Sequence, residues 1–243
     1  GRLPLIWRMI CLCLPVRREV YFCFHHIGHG FMLERSRCKT QSTFWEAICT
    51  MLNDFIVVFP KAGTSVLCES LISWQDEDTS ARTETPQRDT RRDVQKWLPE
   101  SNHLWKPLQN VKLKCLTKYL EEFPSAYRGE KSLLMTENKI QRTDPKGGGF
   151  HTFHSEVSHW ENCSRALVWM LYLNDIPNDE GTTEWLYESI KIQPEAGMMV
   201  IWPAAWMYQH RGNPVHAHSK YIATGWFWYP KEKFYYKWVT LNR

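Results

Sequence analysis

"FHTFHSE", residues 150–156, sets His151, His154 and Glu156 directly behind the run Lys146-Gly147-Gly148-Gly149. Read as a β-strand, its side chains alternate between faces, so His154 and Glu156 point one way while His151 and Ser155 point the other. Two metal-binding groups two residues apart on one strand can grip one ion from a rigid element. The third group must then come from elsewhere, because a lone histidine-x-glutamate also fits an ordinary polar strand face. A second stretch supplies it: "QHRGNPVHAHSKYIATGWFWYP", residues 209–230, opens with His210 and places Lys220 ten residues downstream. On a strand, Lys220, Ile222, Thr224 and Trp226 share one face.

Two histidines and one carboxylate, with the remaining coordination positions open, form the ligand set that suits non-haem Fe(II). The open positions matter as much as the ligands. A bidentate 2-oxoacid fills two and O2 the third, and a lysine deeper in a barrel can pair with the far carboxylate as a fixed positive charge.

The order and spacing of these segments resemble the 2-oxoglutarate and Fe(II)-dependent oxygenases, in particular the branch similar to prolyl 4-hydroxylases. "HSE" stands where that family has HxD or HxE. "HRGNPVHAHSKYIATGWF" is similar to its distal histidine followed by the lysine strand. "WMLYLND", "GTTEW" and "GMMVIWP" resemble the segments between. The likeness covers about residues 132–229, less firmly the strand and helix from Asn53, and leaves residues 1–52 outside. It implies a double-stranded β-helix, the jelly roll of cupin-like proteins, and a dioxygenase using Fe(II), 2-oxoglutarate and O2, with ascorbate as an accessory reductant. By the same resemblance His154, Glu156 and His210 are the iron ligands and Lys220 anchors the C5 carboxylate of 2-oxoglutarate, with Tyr172 and Thr224 as its hydrogen-bonding neighbours. Two positions depart from the family pattern. Glu156 is one methylene longer than the commoner aspartate, and Glu180-Gly181 stands where many members have two glycines, so the loop there is expected to differ.

The rest of the chain is consistent with a mainly β protein with flanking helices. Phe55–Phe59 reads as a buried strand closed by Pro60, and Thr64 as the cap of a helix with Val66, Leu67, Leu71 and Trp74 on one face. Ser101 opens a second helix, whose residues Leu104, Leu108, Val111, Cys115 and Tyr119 recur at spacings of three and four until Pro124 stops it. Between the helices, residues 75–93 have little to bury and read as a solvated, mobile loop. Beyond Lys131, short β-branched and aromatic runs follow at 133–136, 139–143, 166–174, 189–193, 198–202 and 221–229, a spacing that suggests a sandwich, jelly roll or barrel. The organisation expected is an N-terminal segment of unclear structure, 1–52, and an oxygenase domain, 53–243, with helical support at 53–125 and the jelly-roll core at about 132–229. Trp169, Trp185, Trp202 and Trp226 are expected in its interior.

The other histidines and cysteines read less sharply. His216 and His218 precede Lys220 but do not keep the ten-residue spacing. His159 and Cys163 fall in a polar segment, 157–165, which together with 75–93 is where substrate contacts are expected. Cys11, Cys13 and Cys23 with His25, His26 and His29 offer zinc-ligand types but lack paired spacings. The eight cysteines are irregularly placed for a disulfide framework, which suggests reduced thiols and a cytoplasmic location. The apolar stretch from Leu3 to Val16 is broken by Arg8 and Pro15 and falls short of the ~20 residues of a membrane span. The net charge of +4 is spread along the chain and does not point to nucleic acid. A protein, peptide or small-molecule substrate is therefore expected. The competing reading is a non-catalytic jelly-roll module that binds a metal or ligand without oxidising it.

Overall fold

In the computed structural model, the residues described are 55–77, 91–127, 133–177 and 179–230, together with the backbone of five further short strands. Three of these, β1 (Cys11–Cys13), β2 (Val20–Cys23) and β3 (Leu33–Ser36), form an antiparallel sheet of their own. They belong to a unit spanning Gly1–Glu46, separate from the unit Ala47–Arg243 that holds the oxygenase-like segments. The side chains of the N-terminal cysteines and histidines lie outside the described residues.

The second unit is built on two sheets. The larger contains β4 (Thr50–Asn53), β5 (Ile56–Phe59), β6 (Thr83–Glu84), β8 (Val94–Trp97), β9 (Lys139–Thr143), β11 (Arg165–Tyr172), β14 (Met199–Pro203) and β16 (Lys220–Trp228), in the order β4-β5-β14-β11-β16-β9-β8-β6. The smaller contains β7 (Arg91–Arg92), β10 (Gly148–His154), β12 (Thr183–Trp185), β13 (Ile190–Ile192) and β15 (His210–Val215), in the order β13-β12-β15-β10-β7. All recorded pairings are antiparallel. Two facing antiparallel sheets with this order of strands make the jelly roll that the resemblance implies.

The central strands are apolar on both faces because both faces are covered. Along β5, β11, β14 and β16, one set of side chains (Val57, Phe59, Trp169, Leu171, Met199, Ile201, Ala223, Phe227) joins a core with the two helices. The alternate set (Ile56, Val58, Val168, Tyr172, Val200, Trp202, Ile222, Trp226) faces the smaller sheet. Trp169, Trp185 and Trp202 are fully buried, which fills this interior with large, rigid side chains.

Both helices form where the sequence places them, with shifted details. In α1 (Ser65–Glu77) the Leu67 amide donates to Thr64 Oγ1 at 3.2 Å, which satisfies one of the free amides of the first turn. Its buried face is Leu67, Cys68, Leu71 and Gln75, whereas Val66 is 70% exposed. The true stripe lies one position further round the helix than expected. α2 (Trp105–Glu122) begins after a turn in which the Leu104 amide donates to Asn102 Oδ1, so it starts later than Ser101. Pro124 ends it as expected by opening a short 3-10 turn, Pro124–Ala126.

The sheets also correct the sequence reading in places. Residues 133–136 form no strand; Leu134 makes an isolated bridge to Trp228. β12 and β15 are strands that the apolar runs did not signal, since "HRGNPV" contains glycine, proline and few apolar residues. Residues 75–93 are not solvated throughout: Gln75 and Asp93, at the two ends, are buried. Among the described residues, no helix is long and apolar enough to cross a membrane.

Leu71 is fully buried under the large sheet. Leu71→Ala should therefore cost about 2–5 kcal/mol in chemical denaturation. Val66→Ala, on the exposed face, should stay within about 0.5 kcal/mol.

Candidate functional site

β10 and β15 pair antiparallel with His154 opposite His210, and β12 sets Trp185 opposite His210 from the other side. This register brings together two histidines far apart in the chain, with ring centres 4.4 Å from each other. β10 ends at His154, so Glu156 is not on the strand as the simple alternation required. It follows in a bend, and the turn rather than the pleat returns its carboxylate to the histidines. Glu156 Oε1 lies 3.7 Å from His154 Nε2 and 3.5 Å from His210 Nε2. Among the described residues, His154, Glu156 and His210 are the one group of three able to hold a metal ion, their ligand atoms all within 4.8 Å. His151, His159, His216 and His218 lie outside it; His151 Nε2 sits 3.1 Å from the carbonyl of Gly147.

The surroundings of each of these three residues fix its orientation. His154 Nδ1 is 3.0 Å from the carbonyl of Thr152, and His210 Nδ1 is 3.0 Å from that of Tyr208. A carbonyl can only accept, so both Nδ1 atoms carry the proton and both Nε2 lone pairs are free to converge. Burial pushes the His154 imidazole below its usual pKa, which favours the neutral, ligating ring. Burial alone would raise the carboxyl of Glu156. Its interactions with His154 and His210 outweigh that effect and hold it well below the usual carboxylate range.

Two residues that the sequence reading did not assign to the site hold the other carboxylate oxygen. Trp226 Nε1 donates to Glu156 Oε2 at 2.9 Å. Arg165 Nη1 donates to the Glu156 carbonyl at 3.0 Å and lies 3.4 Å from Oε2, with its guanidinium 3.6 Å from the Trp226 ring centre. Oε2 is thereby occupied and Oε1 faces the histidines. The expectation of Trp226 as interior packing holds for its ring but misses its indole N–H. The same-face position of Trp226 with Lys220 was the available signal. Arg165 gave none, because its role depends on the bend at Glu156.

At the start of β16, on the same face as Trp226, stands Lys220, which is 6% exposed. Its Nζ donates to the carbonyl of Gly181 at 2.5 Å and lies 5.3 Å from the ring centre of Tyr172. Burial pushes its pKa down to about 7. Tyr172 is fully buried and its hydroxyl donates to Thr183 Oγ1 at 2.7 Å, while Thr224 Oγ1 donates to the carbonyl of Trp169. The departing turn is well anchored: Glu180 Oε2 accepts the amides of His216 at 2.9 Å and Ala217 at 3.1 Å. Gly181 has φ +57°, and a Cβ there would meet Val215 Cγ1 at 2.7 Å, so glycine is required at this point of the turn. His159 and Cys163 are exposed on the segment held by Asn162, whose Oδ1 accepts the amides of Ser158 and His159.

Residues 138–228 match the sequence model of the 2OG-Fe(II) oxygenase superfamily. No curated protein sequence matches the chain. Among solved structures, the viral collagen prolyl hydroxylase of Paramecium Bursaria Chlorella virus-1 in complex with 2OG is similar at a TM-score of 0.56 and 18% identity, over 71% of this chain and 95% of that one. A prolyl-4-hydroxylase of Pseudomonas putida gives 0.59 and 17%, over 73% and 94%. A prolyl hydroxylase of Trichoplax adhaerens, in complex with a peptide fragment of the hypoxia inducible factor oxygen degradation domain, gives 0.58 and 14%, over 78% and 87%. Residues 138–228 carry the domain of the 2OG-Fe(II) oxygenase superfamily, and the chain shares its fold with prolyl 4-hydroxylases. It is a 2-oxoglutarate-dependent dioxygenase, for which Fe(II), 2-oxoglutarate and O2 are the metal and cosubstrates. The residues present fit that metal: two imidazoles whose Nδ1 atoms are taken up by carbonyls, so that their Nε2 atoms converge, and one carboxylate form its donor set.

Because the indole fixes Glu156 from behind, Trp226→Phe should lower Fe(II) affinity about 10–100-fold, the usual cost of losing such a supporting contact. Competition with a metal-sensitive dye measures it, and an affinity equal to wild type would remove the indole from this role.

Proposed function

We propose that this protein couples oxidative decarboxylation of 2-oxoglutarate to hydroxylation of an unactivated C–H bond, with a peptidyl prolyl residue as acceptor. The single observation behind the first part is the pairing of a converging His154/Glu156/His210 set with a buried ammonium, Lys220, on the same face of β16 as Trp226, whose indole donates to Glu156. A non-catalytic binding module has no use for that ammonium. The acceptor is suggested by the fold shared with three prolyl hydroxylases, one of them bound to a peptide.

In this reading His154, Glu156 and His210 hold Fe(II). Fe(II) held there would supply the O2 chemistry, in which one oxygen atom of O2 ends in succinate with loss of CO2 and the other in the new hydroxyl of the substrate. The chain's own part is positional. Lys220 releases the Gly181 carbonyl and pairs with the C5 carboxylate of 2-oxoglutarate, with Tyr172 and Thr224 flanking that end. The resulting ion pair is strong because the site is dry. Trp185 and Trp202 pack at 6.2 Å and 5.0 Å from the His210 ring and shield that imidazole from water. Arg165 and Trp226 hold Glu156 through Oε2, which leaves Oε1 turned towards the two histidines.

Anaerobic addition of Fe(II) and 2-oxoglutarate should produce the weak visible charge-transfer band of a bidentate 2-oxoacid on iron, and His210→Ala should abolish it. A folded, iron-loaded protein without the band would instead be a binding module.

Lys220 gives a second, independent prediction. Free Lys220 titrates near 7 and must be charged to hold a carboxylate, so binding takes up a proton as pH rises above about 7. The apparent affinity for 2-oxoglutarate, read from the same band, should then fall by up to about tenfold per pH unit above that point. Lys220→Ala should bind 2-oxoglutarate weakly at every pH and lose this slope.

A further inference from the structure

The larger sheet carries a second buried lysine on the face that holds Thr224 and Trp226. Lys139 on β9 pairs across to Trp97 on β8 and to Thr224 on β16, so it shares the interior face with Thr224. It is 8% exposed, with Nζ 5.8 Å from the Trp97 ring centre and 5.2 Å from that of Trp226. Trp226 is the residue whose indole holds Glu156.

Four lysines are buried among the described residues, and three have acceptors. Lys96 donates to the Trp74 carbonyl, Lys112 to Asn138 Oδ1 and Lys220 to the Gly181 carbonyl. Lys139 has no hydrogen bond or ion pair among the described residues; two aromatic faces are its contacts. Burying an ammonium without a carboxylate is unfavourable, and cation–π contacts offset only part of the cost. Its charged neighbours are already matched to one another: Arg91 makes a bidentate pair with Asp93, and Arg165 is held by Glu156. The two carboxylates of 2-oxoglutarate are also answered, one by Lys220 and one by the metal. Lys139 is the positive charge left over. The wall beside it leads outwards, since Trp97 is 48% exposed.

The rim around the ligands has a different character. Trp160, Leu186, Tyr187, Trp206 and Met207 are exposed by 78%, 41%, 60%, 65% and 42%. Their segments are tied together beside Glu156 and His210 by the Val157 amide to the Ala204 carbonyl and the Leu186 amide to the Gln209 carbonyl. Large exposed apolar side chains on both sides of a reaction centre suit an extended chain with side chains of its own better than a small solute.

Resting on the oxygenase reading above, we propose that Lys139 is a specificity-determining residue that receives a carboxylate of the substrate, and that the substrate is an acidic segment of a polypeptide. The aromatic rim holds the segment, and the Asp or Glu beside the reacting residue enters the cavity along Trp97 and replaces bulk water as the partner of Nζ. The paired charges then fix which residue of the segment faces the metal.

The test uses the full chain with Fe(II), 2-oxoglutarate and two sets of proline-centred peptides, one with Asp or Glu flanking the proline and one with Asn or Gln there. Hydroxylation is read by mass spectrometry. The acidic set should show a KM roughly tenfold or more below the amide set. Lys139→Met should erase that ratio by raising KM for the acidic set with kcat little moved, and Lys139→Arg should restore most of it. Turnover of both sets alike, or of neither, overturns the proposal. So does a Lys139→Met protein whose charge-transfer titration shows weakened 2-oxoglutarate binding, since that would make Lys139 a cosubstrate contact. Failure of the oxygenase reading itself looks different: the wild type would form no charge-transfer band at all.

Discussion

The site depends on one backbone pairing, the antiparallel register of β10 with β15 that sets His154 opposite His210. A slip of one residue would send either histidine to the other face of its strand and dismantle the ligand set. The register is held from both sides. β12 binds the outer edge of β15 through Trp185 and His210, and β7 binds β10 through Arg91 and Arg92. Register shifts within the β10 pairing, between Gly148 and Phe150 and again before His154, tune where the strand ends, and with it where Glu156 turns back. Such irregularities are common beside functional sites because they re-aim single side chains.

Around that register the cavity is organised by charge. Glu156 is kept ionised and oriented by an indole and a guanidinium, whereas Lys220 and Lys139 are cations made costly by burial. A protein gains no stability from a buried ammonium without a counter-ion, and replacement by an apolar residue is often neutral or stabilising. The negatively charged ligands proposed above for these two lysines would supply that counter-ion. The same logic distinguishes Lys112, which is buried on the inner face of α2 but satisfied by Asn138 and placed over the ring of Trp169. That lysine serves the packing of helix on sheet.

The helices supply the rigidity that the register needs. α1 and α2 cover the outer face of the large sheet, and their apolar residues join Trp169, Leu171, Met199 and Phe227 in one core. With both faces of the central strands buried, the sheet cannot shift without exposing one core or the other.

Much of this was legible in the sequence because the relevant signals are local. The histidine and lysine spacing, the two amphipathic helices, the Thr64 cap and the long apolar runs of β11, β14 and β16 each depend on a few neighbouring residues and on the fixed periods of helix and strand. That His154, Glu156 and His210 come together was expected on the same local spacing and on the family resemblance, and the structure does group their ligand-type atoms. What the sequence could not specify depends on contacts between distant segments. β12 and β15 lack an apolar signature because their partners, not their composition, make them strands. Glu156 reaches the histidines through a bend beyond the end of β10, which strand alternation cannot anticipate. The partners of its second oxygen, Arg165 and Trp226, lie on β11 and β16. The isolation of Lys139 is likewise a property of the assembled cavity: one residue's chemistry is written in the chain, but whether a counter-ion stands beside it is decided only when the sheets close.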